Sequence, residues 1–91
     1  MNILIIDAQG GGIGRQLVSA VKENIPDAFV TAVGTNSAAT SAMLKAGADI
    51  AATGENAVIV NSRKADVITG PVGIVIADAS TGRSLRLWQR Q

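Results

Sequence analysis

The chain has 91 residues and a formal net charge of +1, and it contains no cysteine, histidine or tyrosine. This length allows one small domain with a marginal core, which is compatible with a homo-oligomer. The missing residue types exclude disulfides, thiolate or imidazole metal sites and a histidine base, and we predict no metal site. Two aromatic residues and an almost neutral charge argue against nucleic-acid binding. No apolar run approaches the roughly 20 residues that cross a bilayer, so we expect a cytoplasmic protein without a membrane partner.

The chain begins with a predicted strand, a glycine-rich turn and a helix. Ile3–Ile6 is a short apolar run, typical of a strand buried on both faces. Four glycines follow within Gly10–Gly14, and apolar residues then recur at helical spacing over Gly12–Asn24. After a Pro-Asp turn, Ala28–Val33 predicts the next strand. A strand, a helix and a strand of these lengths form a βαβ unit with parallel strands.

The middle of the chain predicts a second helix and then an ambiguous region. Asn36 or Ser37 is a suitable N-cap for the alanine-rich helix, and Gly47 is suited to follow its end. Asp49–Ala52 predicts a short strand, followed by a helix over Glu55–Lys64. The alternative is a strand at residues 57–60, which are largely β-branched. We favour the helix because the next predicted strand, residues 66–69, needs a crossover before it.

The order of these elements predicts an α/β fold, a three-layer Rossmann-like parallel sheet with about four strands. Gly73–Ala77 is a last apolar run. Ser80–Gln91 differs from the rest, because it contains three arginines, two glutamines and the tryptophan. We therefore assign residues 1–79 to the α/β domain and residues 80–91 to an atypical tail.

The glycine-rich turn predicts an anion site. Glycines let a ligand approach the backbone, and the first N–H groups of a helix point at it. The spacing is not the dinucleotide fingerprint GxGxxG; it partly matches the short-chain dehydrogenase turn TGxxxGIG and the phosphate loop KGGxGKT of ParA-like ATPases. Arg15 and Gln16 replace the Lys and Thr of that loop, so ATP hydrolysis is not expected. The alternative is a tight turn that only permits close packing. The residues predicted to contact phosphate are Gly10, Gly11, Gly12, Ile13 and Gly14.

The loops after the other strands supply further polar groups. Thr35, Asn36 and Ser37 follow the second strand without an acidic residue, which suits NADP or a mononucleotide better than NAD. They are equally explained as the cap of the next helix. The remaining polar candidates, at the ends of the first and third strands, are Asp7, Thr53, Gly54, Glu55 and Asn56. Asp7 has the alternative role of a cap, and Glu55 is either a base or an ordinary acid at a helix N-terminus.

Several long motifs resemble a small bacterial family of uncharacterised proteins, described only as a domain of unknown function. The shared motifs are DGQGGGIG, AVGTNSxATSxMLKAGA, ATGENAxxVN and ADxIxGPxGIxxAD, and the matching segments here are DAQGGGIG, AVGTNSAATSAMLKAGA, ATGENAVIVN and ADVITGPVGIVIAD. The resemblance covers about Met1–Asp78 and implies that these loops form one site, without implying an activity. Ala8 replaces the glycine usual in the first motif. Ser80–Gln91 differs from the family's further helix and strand, which is compatible with a truncated carboxyl terminus.

These observations predict a module that binds a nucleotide or another small phosphate-containing ligand through the glycine-rich turn. One alternative is an NADP-linked reductase; without a tyrosine, its candidate groups are Asp7, Glu55 and Lys64. Another alternative is a non-catalytic interaction or scaffold subunit. Whether the protein is an enzyme is left open by the sequence.

Overall fold

The computed structural model of the protein describes residues 1–7, 12–71, 73–78 and 84–88. None of the helices in these ranges has the length and apolar character needed to cross a lipid bilayer. The helices and strands, in chain order, are β1 (Asn2–Asp7), α1 (Gly12–Asn24), β2 (Phe29–Gly34), α2 (Ser37–Lys45), β3 (Ile50–Thr53), α3 (Glu55–Ser62), β4 (Val67–Gly70), β5 (Gly73–Asp78) and β6 (Ser84–Trp88).

The strands form one sheet in the order β3-β2-β1-β4-β5-β6. β1 pairs in parallel with β2 and β4, and β2 pairs in parallel with β3. The predicted set of about four parallel strands is therefore confirmed. β5 and β6 extend the sheet in antiparallel pairings. The predicted architecture includes neither this change of direction nor β6, which lies in the segment assigned to the tail.

Helices cover both faces of the sheet, so the three-layer prediction is also confirmed. On the face of α1 and α2, buried Ile5, Val30 and Met43 belong to one apolar cluster. On the opposite face, buried Leu4 and Val33 pack with two residues of α3. Neighbouring residues of β1 thus enter different clusters, because successive side chains of a strand point to opposite faces. This explains why β1 is a continuous apolar run rather than an alternating one.

Both ends of α2 are capped as the sequence predicted. The Asn36 side-chain oxygen accepts the N–H three residues ahead at 2.9 Å, so Asn36 is the N-cap. Gly47 follows the helix with φ +120°. Its N–H donates to the Leu44 carbonyl, and the Ala48 N–H donates to the Met43 carbonyl. This pair of bonds is the Schellman arrangement, which places a residue with positive φ after the helix end.

The ambiguous region between β3 and β4 is helical. α3 covers Glu55–Ser62, so the favoured interpretation is confirmed and the alternative strand at residues 57–60 is wrong. The reason is topological: β4 lies on the far side of β1 from β3 and runs parallel to it, which requires a crossover segment. The helix ends two residues before the predicted boundary at Lys64.

Two aspartates fix the starts of β3 and β4 at the amino edge, where the four parallel strands begin. The Asp49 N–H donates to the Val30 carbonyl at 2.9 Å, and its carboxylate accepts the Val30 N–H at 2.8 Å. Asp66 makes the same two bonds with Asn2, both 2.8 Å long. We call Asp49 and Asp66 the aspartate anchors. Because each anchor pairs partly through its side chain, both strands begin one residue later than predicted.

One anchor also carries an ion pair. The Lys22 ammonium lies 2.6 Å from the Asp49 carboxylate and donates to the Ala28 carbonyl at 2.9 Å. The hydrogen bond from Lys22, followed by that from the Val30 N–H, lowers the pKa of the Asp49 carboxyl below its ordinary value. The carboxyl end of α1 is thereby tied to the strands beneath it.

Candidate functional site

The four parallel strands end at one side of the sheet, which we call the carboxyl edge. The pairing register places Asp7 beside Gly34, and Gly34 beside Thr53. Gly70, at the end of β4, lies so close to β1 that an added Cβ would come within 2.6 Å of the Ile6 carbonyl oxygen. The segments that follow β1, β2, β3 and β4 therefore start next to one another.

Asp7 is buried beneath the start of α1. It is 5% exposed, and its carboxylate accepts the Gly14 N–H at 2.6 Å. Gly14 is the third residue of α1, so the bond satisfies one of the helical N–H groups that lack a partner within the helix. The negative charge also lies at the positive end of the helix dipole. Of the roles considered for Asp7, the capping role is the one that this geometry shows.

Gly12 and Gly14 have different surroundings. A Cβ added at Gly14 would lie 2.6 Å from the Met43 sulfur and 2.7 Å from the Asp7 Cβ. Gly14 is therefore required by the packing of α1 against α2 and β1, and its N–H is already bonded. Gly12 is exposed, and a Cβ added there would meet no described atom within 4 Å. Among the described glycines of the turn, Gly12 is the one with space for a ligand.

The N–H groups of Gly12 and Ile13 are the first two of α1, and the described residues supply no acceptor for them. Gly10 and Gly11, which were also predicted to contact phosphate, lie outside the described residues. Arg15 is exposed in the first turn of α1 and lines a groove of about 400 Å³ between α1 and α2. Arg15 is thus a positively charged residue in the first turn of α1.

The loop from Thr35 to Ser37 joins the edge to α2. The Thr35 N–H donates to the Asp7 carbonyl oxygen at 3.0 Å, and the Asn36 side chain is used as the cap of α2. Thr35 and Ser37 are exposed. The capping function considered for this loop is thus present, and contact with a sugar or a second phosphate stays a prediction.

Thr40 is a polar residue of this edge that is not among the predicted site residues. Its hydroxyl lies 2.8 Å from the Thr53 hydroxyl and 3.1 Å from the Asn36 carbonyl oxygen. Thr40 also accounts for Gly34, because a Cβ added at Gly34 would lie 2.5 Å from the Thr40 hydroxyl oxygen. The only sequence signal was its place one helical turn after the N-cap. The partner Thr53 could be recognised only once β3 was known to pair with β2.

α3 begins at the same edge. Gly54 has φ +106°, and its N–H donates to the Gly34 carbonyl at 3.0 Å. Glu55 and Asn56 are exposed in the first turn of α3. An acid at this position is favourable for the helix dipole alone. A role for Glu55 as a base stays a prediction.

Lys64 lies at the amino edge of the sheet, whereas Asp7 lies at the carboxyl edge. Its carbonyl oxygen lies 3.4 Å from the Asn2 side-chain amide, and it lines a depression of about 160 Å³ with Asn2 and Phe29. The length of β1 separates the two edges by roughly 16 Å. The three groups considered for a reductase, Asp7, Glu55 and Lys64, are therefore not brought together. Across the described ranges, no three residues of the types that bind metal ions form a group.

Comparison with known proteins identifies a family whose function is unknown. The model of the family described as Domain of unknown function (DUF3842) matches residues 2–85, which is most of the chain and extends beyond the predicted domain boundary at residue 79. No curated protein and no solved structure matches the chain.

Proposed function

We propose that this protein, which belongs to the DUF3842 family of unknown function, binds a phosphate-containing ligand of the nucleotide class at the carboxyl edge. The observation that carries the proposal is the position of Gly12 at a reversal of strand order. β1 lies between β2 and β4, and the helices that lead into these two strands, α1 and α3, cover opposite faces of the sheet. In open α/β sheets such a reversal leaves a crevice outside the carboxyl ends of the strands, where ligands bind.

The start of α1 supplies the anion contact in this proposal. The N–H groups of Gly12 and Ile13, together with the positive end of the helix dipole, suit a phosphate group. The absence of a side chain at Gly12 leaves room for the ligand to approach. Arg15 adds a cation within the same turn.

Asp7 limits how tightly an anion can be held there. Its carboxylate occupies the Gly14 N–H and neutralises part of the positive end of α1. The anion contact is therefore confined to the first two N–H groups of the helix, fewer than in a phosphate loop that wraps its ligand. We expect a dissociation constant in the range of about 1 μM to 1 mM, which corresponds to roughly 4–8 kcal/mol.

Exposed hydroxyls near this point suit the sugar or a second phosphate. Thr35 and Ser37 follow β2, the neighbour of β1, and no acidic residue follows β2 within this loop. A ribose 2′-phosphate would meet no opposing carboxylate there, so NADP and mononucleotides are preferred over NAD. An enzymatic step is not part of the proposal.

A thermal-shift panel of NADP, NAD, ATP, GMP and inorganic phosphate tests the proposal. At 100 times its dissociation constant, a ligand adds about 2.7 kcal/mol, which for a domain of this size raises Tm by about 10 °C or more. No shift with any of these compounds would contradict ligand binding and favour the interaction subunit.

Gly12→Val then tests the assigned position. The valine side chain extends into open space, so the fold is expected to persist while the phosphate contact is blocked. Ser19→Val is the matched control, because it introduces the same residue at an exposed position of the same helix, about 10 Å away. We expect Gly12→Val to abolish the shift and Ser19→Val to retain it. A full shift in both variants would exclude this position.

A further inference from the structure

β3 is an edge strand that carries little protection. Among the strands that the structure describes, it has a neighbour on one side only. The Asp49 N–H donates to Val30 of β2. The N–H and C=O groups of successive strand residues point alternately to the two sides, so those of Ile50 and Ala52 point away from β2. The Ala52 carbonyl lies 3.3 Å from the Thr40 hydroxyl and keeps a second lone pair. β3 contains neither a charge nor a proline, the residues that usually prevent an edge from pairing.

Exposed apolar side chains lie near β3 on both faces of the sheet. Ile50 is 48% exposed and Phe29 is 44% exposed, and both line the depression on the α3 face. On the other face, Leu44 is 51% exposed and lies one helical turn after Thr40, which contacts β3. One turn rises about 6 Å, or two strand residues, so Leu44 lies level with Ala51.

We propose that β3 pairs antiparallel with β3 of a second copy of this chain, about a two-fold axis at Ala51. In this register Ile50 lies opposite Ala52 of the second copy, and each such pair exchanges two backbone hydrogen bonds. These bonds use the N–H and C=O groups of Ile50 and Ala52, which point away from β2. The six described strands of each copy then form one continuous sheet.

The helices of the two copies fit this arrangement. α2 contacts both β2 and β3, so it lies over the gap between them. Pairing at the normal strand spacing then places the two α2 helices about 10 Å apart, which is within the usual distance for packed helices. Leu44 lies level with the axis on the side of α2 toward β3, and it meets Leu44 of the second copy.

Charge and area both suit a second copy as the occupant. Around a two-fold axis a residue meets its own equivalent, so a charge there would repel itself. β3 and the side of α2 toward it, formed by Ser37, Thr40 and Leu44, carry none. The three half-exposed large side chains of each copy supply only part of the roughly 1,000 Å² that a specific interface buries, so the contact is small. We therefore expect a weak, reversible dimer.

A single cysteine at the axis tests the register. Ala51 faces Ala51 of the second copy in a non-hydrogen-bonded pair, with a Cα separation of about 4.5 Å, which is short enough for a disulfide. The chain has no other cysteine. Ala51→Cys is expected to give a linked dimer under mild oxidation. Ser41→Cys, exposed on the side of α2 toward α1, is the control and should stay monomeric on a denaturing gel.

Sedimentation of the unmodified chain tests association independently of any variant. We expect a monomer–dimer equilibrium that Leu44→Glu weakens at least about tenfold, because two carboxylates would meet at the axis. Ile59→Glu, on the outer side of α3, should leave it unchanged. A monomer at every accessible concentration would overturn the proposal. It would also be overturned by a dimer that survives Leu44→Glu and links equally through Ser41→Cys.

Discussion

At the amino edge, β3 and β4 begin after aspartates that bond both the N–H and the C=O of one residue on the neighbouring strand. At the carboxyl edge, β1 ends on Asp7, whose carboxylate caps α1, and β2 and β4 end on glycines. The anchors Asp49 and Asp66 close the first edge with paired hydrogen bonds of 2.8–2.9 Å. At the second edge, Gly34 and Gly70 are packed against the Thr40 hydroxyl and the Ile6 carbonyl, whereas Gly12 adjoins open space. Aspartates therefore serve strand pairing at one edge and a helix start at the other, and of these three glycines only Gly12 has no described atom where a side chain would be added.

The largest effect is expected from filling the packed glycine of the carboxyl edge. Gly14→Ala places a Cβ 2.6 Å from the Met43 sulfur, and we expect a loss of about 3 kcal/mol in the free energy of unfolding. Gly12→Ala, in open space, should change it by less than about 1 kcal/mol. Urea denaturation measures both variants. Equal effects would mean that the two glycines do not differ as described.

Removing the buried carboxylate should have the next largest effect. Asp7→Ala leaves the Gly14 N–H without its acceptor, and we expect a loss of about 2 kcal/mol. Asp7→Asn keeps an oxygen that can accept this bond, so it should recover part of the loss. Urea denaturation of the three proteins separates the hydrogen bond from the charge. An Asp7→Ala protein as stable as the unmodified one would refute the capping role.

The pair of hydroxyls at the carboxyl edge is expected to contribute less. Thr40→Val and Thr53→Val should each cost about 1 kcal/mol, because each removes the bond of 2.8 Å between them. In a double-mutant cycle the two losses should not add, with a coupling of about 0.5 kcal/mol or more. Strict additivity would show that the two residues do not interact.

The smallest effect is expected from the ion pair of the amino edge. Since the folded pKa of Asp49 is below its ordinary value of 3.8, its contribution is fully present above that value and is lost as the pH falls through the folded pKa. Between pH 6 and pH 2, the Tm of Asp49→Asn should therefore fall less than that of the unmodified chain. Parallel curves would contradict the assignment.

Local signals in the sequence were sufficient for most of the fold. The cap at Asn36, the turn at Gly47 and the apolar run of β1 depend on short-range backbone rules, and the structure agrees with each of them. The need for a crossover between parallel strands also predicts α3 correctly, although its residues 57–60 favour a strand. The crossover required between two parallel strands therefore determined the structure of this segment more strongly than the strand propensity of its residues.

Contacts between distant residues could not be predicted in the same way. The packing of Gly14 against Met43 has no signal in the sequence, because the two residues are far apart along the chain. The bond between Thr40 and Thr53, and the side-chain pairing of Asp49 with Val30, depend on strand register. β6 has the polar–apolar alternation of a strand at Ser84–Leu87, but its pairing with β5 depends on placing the two segments side by side. The missed features are those that require two segments to be placed side by side.

Amide chemical shifts during a titration with NADP, followed by inorganic phosphate, test most directly whether the carboxyl edge is the binding edge. We expect the N–H signals of Gly12 and Ile13 to move and to saturate, while those of Asn2 and Asp66 at the amino edge stay in place. Movement confined to the amino edge, or no saturable movement at Gly12 and Ile13, would contradict the account.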